Sequence, residues 1–141
     1  MRNYKIHSII FVMLILIITV FSACGKSEEE IQKEKVSVDR ALKGGWITQE
    51  EAESDVFKQL YGDPYYGVLF ENGTYQFLTL SGKNQSVIHS EEGTYIIYVE
   101  SKEIVCTTND GAVQQRTFNY IFENNNLTLT DSSNHEYTKM N

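Results

Sequence analysis

The 141-residue chain has two cysteines, one proline and one oily run. That run, residues 9–20, is about a dozen residues long, short of the roughly 20 that a spanning helix requires. The two cysteines, Cys24 and Cys106, exclude a disulfide framework of the kind that staples small secreted domains. Positive charge is scarce as well: 12 Lys and Arg stand against 19 Asp and Glu, a formal net charge of -7. Such a surface repels nucleic acid and anionic headgroups, which excludes nucleic-acid partners. No phosphate-loop, dinucleotide or nucleophile-elbow pattern occurs.

The first segment is what the short oily run belongs to. Arg2 and Lys5 precede it, and Phe21-Ser22-Ala23 lead from it into Cys24. Positive, then oily, then small residues is the layout of a secretory signal, so residues 1–23 are excluded from the fold. Residues 24–43 are rich in Glu and Lys and carry Ser27-x-x-Glu30, a capping-box pattern. They read as a charged tether, helical in part or irregular. The third segment, residues 44–141, reads as the folded domain.

That domain is mainly β. Gly44-Gly45-Trp46-Ile47 suggests a first strand, followed by a helix capped by Thr48-x-x-Glu51 and carrying Val56, Phe57, Leu60 and Tyr61. Gly62 and Pro64 stop it, and nothing later has helical periodicity. Asn72-Gly73 predicts a two-residue hairpin placing Phe70 opposite Tyr75 and Val68 opposite Phe77. Strands are expected at 86–90 and 94–99, with a turn at Ser101-Lys102 setting Val99 opposite Ile104. A three-residue turn at Asn109-Asp110-Gly111, with Gly111 in the left-handed position, keeps Phe118, Tyr120 and Phe122 on the face of Ile104 and Cys106. Asn124-Asn125 then pairs Phe122 with Leu127 and Tyr120 with Leu129, and Tyr137 returns beside Leu129. About eight antiparallel strands in an up-and-down meander avoid free edges by curling shut into a small barrel.

Two resemblances follow from these residues. Val20-Phe21-Ser22-Ala23-Cys24 resembles the lipobox of bacterial lipoproteins, which implies cleavage after Ala23 and a diacylglyceryl group, with further acylation such as palmitate, on Cys24. Gly44-x-Trp46, the run of hairpins and the closing "NYIFENNNLTLT" into "HEYTKM" resemble the small lipocalin-like barrels of such lipoproteins. The resemblance implies an architecture and an address on the extracytoplasmic face of a cell membrane. It carries over no ligand.

Candidate chemistry is sparse. Cys106 with His89 or His135 could suggest a nucleophile, but its position with Ile97 and Ile104 suits a buried apolar residue better. His89, Glu91, Glu92 and His135 lack metal-ligand spacing, so no metal and no cofactor is expected. Glu91-Glu92 reads as solvated, turn-like charge rather than an acid–base pair. The aromatic stripe either fills the barrel or lines a cup, in which case Tyr66, Tyr75, Tyr95, Tyr120 and Tyr137 are its mouth-lining candidates. The expected function is that of a lipid-anchored binding or interaction module rather than an enzyme. Its partner would be an extracytoplasmic protein or a small molecule. The alternative is a lipocalin-type carrier of an apolar ligand.

Overall fold

The computed structural model describes residues 25–110 and 115–140; the expected signal segment, Cys24 and Gly111 lie outside them. The chain divides at Ile31/Gln32, and everything from Gln32 onward forms one compact unit.

Alternation of inward apolar and outward polar residues dictates strands, and eight follow one another. They are β1 (Gly44–Gln49), β2 (Tyr65–Glu71), β3 (Thr74–Leu80), β4 (Val87–Tyr98), β5 (Glu103–Thr108), β6 (Gln115–Glu123), β7 (Asn126–Asp131) and β8 (Glu136–Lys139). Each pairs antiparallel with the next, and β8 returns to β1 to close a barrel. At the seam Trp46 meets Lys139 and Ile47 meets Thr138. This is the meander expected from the sequence, and it is consistent with a lipocalin-like barrel.

Most hairpin registers agree with the sequence. Asn72 and Gly73 both have positive φ, 49° and 83°, as a type I′ turn requires, and Phe70 faces Tyr75. Asn124 and Asn125 repeat the device at φ 51° and 63°, so that Phe122 faces Leu127. Leu129 faces Tyr137 across β7 and β8. Across β5 and β6 Ile104 faces Phe118, where a three-residue turn would set it opposite Arg116; the shift is by two residues, so the inward face is kept.

Three further expectations need correction. The strands at 86–90 and 94–99 are one continuous strand, β4, running through Gly93. Glycine is required there because a Cβ would lie 1.9 Å from the Thr107 carbonyl oxygen. The β4–β5 turn is four residues long, pairing Ile97 with Ile104 and Tyr95 with Cys106. Val99, assigned to the strand, is instead buried in that turn. The shift is by two residues, so every side chain keeps its face. Finally, Thr48 caps no helix, because it pairs with Tyr66 in β1. Helix α2 is capped by Ser54, whose side chain accepts from the Phe57 N–H; α1 (Glu28–Leu42) precedes it, and α2 covers Asp55–Tyr61. Gly62 ends α2 at φ 76°, as expected.

Helix α1 occupies the stretch read as a tether. Ser27 and Glu30 form the expected reciprocal cap, with Ser27 N–H on Glu30 Oε2 at 3.0 Å and Glu30 N–H on Ser27 Oγ at 3.3 Å. From Gln32 on, the helix belongs to the barrel's unit and not to a free stalk. Val38 and Leu42 are fully buried. The Trp46 indole N–H donates to the Leu42 carbonyl at 2.8 Å, the Tyr95 hydroxyl donates to Asp39 at 2.7 Å, and Lys43 donates to Asn72 at 2.9 Å. Glu34 pairs with Lys102. These contacts gather at the β2–β3 and β4–β5 turns, so α1 seals that end of the barrel. Among the described residues no helix is long and apolar enough to cross a membrane.

The closed half is filled by rings. Phe70 meets Tyr95 and Phe118 edge-on at centroid distances of 5.2 and 5.8 Å, and Phe118 meets Tyr137 at 5.5 Å. Tyr120 is buried among them, and its hydroxyl has no hydrogen-bond partner among the described residues. Tyr95→Phe and Tyr120→Phe should therefore diverge in chemical denaturation. Tyr95→Phe should lose about 1 kcal/mol with its charged acceptor, whereas Tyr120→Phe should be neutral or stabilising.

Candidate functional site

The other end of the barrel is open. There the β1–β2 connection, the start of β4, the start of β6 and the β7–β8 turn surround a cavity of about 610 Å³. Parity explains what lines it. Glu91 and Arg116 stand on the inward faces of β4 and β6, in line with buried Tyr95 and Phe118. His89, two residues before Glu91, shares this parity and also lines the cavity; beyond it a bulge pairs Leu80 with Val87.

The floor of the cavity is a charged network. Arg116 donates from Nε to Glu91 Oε1 at 3.0 Å and from Nη2 to Glu91 Oε2 at 3.2 Å, a two-bond fork. The Tyr75 hydroxyl donates to the same carboxylate at 3.3 Å. The Arg116 guanidinium lies 3.6 Å over the Phe77 ring. Burial pushes the Glu91 carboxyl up, but the hydrogen bonds and charge of Arg116 more than offset this and hold it below its usual range. Burial raises the phenols of Tyr66, Tyr75 and Tyr137, which remain protonated donors.

The rim holds a second cluster. His135 Nδ1 lies 2.6 Å from Glu50 Oε1 and 3.1 Å from Asp131 Oδ2. Asp131 Oδ1 accepts the N–H groups of Ser133 and His135 at 2.8 and 3.0 Å, which fixes the turn. Burial lifts the Glu50 carboxyl above its usual range; His135 opposes this, and Asp131 and Glu53 add to it. The hydrogen bond and charge of Asp131, with the charge of Glu50, lift the His135 imidazole.

The sequence candidates separate between the two ends. Tyr66 and Tyr137 line the cavity, and Tyr75 reaches its floor through Glu91. Tyr95 and Tyr120 lie at the closed end, one bonded to α1 and the other beside Lys102, whose Nζ is 5.5 Å from the ring. Glu91 is not turn-like surface charge but an inward strand residue, whereas Glu92 is exposed on the outer face. His89 and His135 line the same cavity but pair separately: His89 Nε2 lies 3.8 Å from Glu91, and His135 pairs with Glu50 and Asp131. Sequence reasoning missed Arg116, Glu50 and Asp131. Inward parity with Phe118 would have flagged Arg116; the other two carry no local signal.

Cys106 faces the interior opposite Arg116. It is completely buried, and burial pushes its thiol up to about 12. It is not built as a nucleophile.

Comparison with known proteins assigns no family: no family model, no curated protein and no solved structure matches this chain.

Two outcomes follow from this geometry. Glu91 has a folded pKa below its unfolded one, so its stabilisation is present above the ordinary glutamate range. It is lost as pH falls through that range and then through the folded value. Glu91→Gln should cost about 2 kcal/mol near neutrality, and its deficit against the parent should shrink in acid denaturation profiles. Cys106 should resist thiol-alkylating reagents in the native chain and react fully once it is unfolded, as peptide mass spectrometry would read.

Proposed function

We propose that this protein is a lipid-anchored binding module of the extracytoplasmic face of a bacterial cell membrane. In this reading it is held by acyl chains on Cys24 and takes a small polar ligand or partner at the barrel mouth. The observation that carries the binding role is the asymmetry of the barrel: one end is sealed by α1 and filled with rings, and the other opens as a cavity of about 610 Å³. Glu50, Glu53, Glu91, Arg116, Asp131 and His135 all line it. A carrier of an apolar ligand would have to strip the water from these charged groups and offer no hydrogen bonds in return, which is costly. The cavity therefore supports the binding module over the carrier. A binding role without catalysis also fits the burial of Cys106.

The anchor rests on the sequence from Val20 to Cys24. Two acyl chains hold a protein firmly where one does not. The acidic chain is repelled by anionic headgroups, which suits a domain held near a membrane by lipid rather than by its own surface. Metabolic labelling with an alkyne fatty acid, followed by mass spectrometry of the N-terminal peptide, tests this. The expected peptide begins at Cys24, carries a diacylglyceryl group and loses its label in Cys24→Ala. A mature N-terminus elsewhere with a free Cys24 thiol would sink the proposal.

A further inference from the structure

We propose that Glu50, Asp131 and His135 form a site for one divalent transition-metal cation at the barrel mouth. The proposal rests on the mouth being the binding end and not on the lipid anchor.

The three side chains come from separate places: the end of the β1–β2 connection next to β1, the last residue of β7, and the β7–β8 turn. The β7–β8 turn holds Asp131 beside His135 and barrel closure brings Glu50 to them, with one ligand atom from each inside a 4.8 Å span. Around a tetrahedral or octahedral ion with bonds near 2.1 Å, adjacent donors stand roughly 3.0–3.4 Å apart. The 3.1 Å between His135 Nδ1 and Asp131 Oδ2 already has that spacing, and the 2.6 Å to Glu50 Oε1 has only to open by a few tenths. Asp131 spends Oδ1 on backbone N–H groups, which leaves Oδ2 directed at the shared point.

The surrounding charge points the same way. Four carboxylates line the cavity, those of Glu50, Glu53, Glu91 and Asp131, against one arginine. That arginine is committed to Glu91, so among the described residues the rim carboxylates have no lysine or arginine partner on the cavity wall. A cation entering the mouth would find a field of favourable sign and an open side toward the cavity for water or a second ligand. One imidazole nitrogen with two carboxylate oxygens suits Zn²⁺, Mn²⁺, Fe²⁺ or Co²⁺. Ca²⁺ and Mg²⁺ favour all-oxygen shells with more ligands. A bound ion would staple the β1–β2 connection to the β7–β8 turn and set an electrophilic centre above Tyr66 and Tyr137.

The test uses the full chain without a polyhistidine tag, purified in detergent and stripped with chelator. Equilibrium dialysis against Zn²⁺ should load one ion per chain, and Co²⁺ should give a d–d absorption spectrum that Zn²⁺ abolishes. The unfolding midpoint should rise with Zn²⁺ and not with Ca²⁺ or Mg²⁺. Glu50→Gln and His135→Ala should each weaken uptake by at least the roughly tenfold that even outer-shell changes cost at metal sites. Near-ultraviolet circular dichroism of both variants separates lost binding from lost fold, and Glu92→Gln on the outer face should bind as the parent does. Absence of stoichiometric uptake would overturn the site and leave His135 as a charged bridge between two carboxylates. Uptake unchanged in both rim variants, or lost in His89→Ala instead, would overturn it equally. Neither failure touches the anchor, which the labelling of Cys24 decides separately.

Discussion

Pairing of β8 with β1 is the constraint on which the rest of the structure depends. Once the sheet closes, no strand has a free edge, and the choice of inward face becomes a property of the whole ring. A slip of one residue in any hairpin would turn every later strand inside out, exposing Phe118 and Leu129 and burying Asn119 and Thr130. A slip of two is harmless to that choice. The β4–β5 turn illustrates this: it holds four residues where two would serve, and Ile97, Ile104 and Cys106 still face inward. The extra length lowers Val99 into the closed end, where it is buried.

Closure also produces two unequal ends, because the connections on the two sides differ. At one end the β2–β3, β4–β5 and β6–β7 turns are tight, and α1 can lie over them. Its acceptors are specific: the carbonyl of Leu42 for Trp46 and the carboxylate of Asp39 for Tyr95. At the other end the connection between β1 and β2 runs through α2, whose exposed Val56 and Leu60 pack on no core. Nothing among the described residues fills the barrel there beyond the Glu91–Arg116 network. The same ring of strands is thus a packed core at one end and a cup at the other.

The sequence made the local parts of this legible. Asn-Gly and Asn-Asn dipeptides announce positive φ, and alternation around them fixes which residues face each other, so those registers follow from the residues alone. The cap of α2 could not, because Thr48-x-x-Glu51 and Ser54 are equally good local signals and only the pairing of Thr48 with Tyr66 decides between them. The burial of α1 was hidden for a similar reason. Its apolar residues are few, and Val38 and Leu42 matter only because a barrel end is available to receive them. The rim cluster was the least legible feature. Glu50 and His135 are far apart in the chain, and it is barrel closure that brings them to 2.6 Å.

The charged floor is the feature that stability alone does not explain. Apolar residues at 91 and 116 would extend the aromatic packing upward from Phe118 and Tyr95 and close the barrel from both ends. A buried ion pair seldom improves on such a replacement, because desolvation of both groups consumes most of their attraction. Here the pair is further tied to Tyr75 and Phe77, so four inward positions are given to keeping one guanidinium in place. Only two of its five N–H donors are used on Glu91. Such an arrangement spends packing to keep a cavity polar and open. A barrel selected for stability alone would have filled it, and the cost falls at the one place where the fold offers a ligand room.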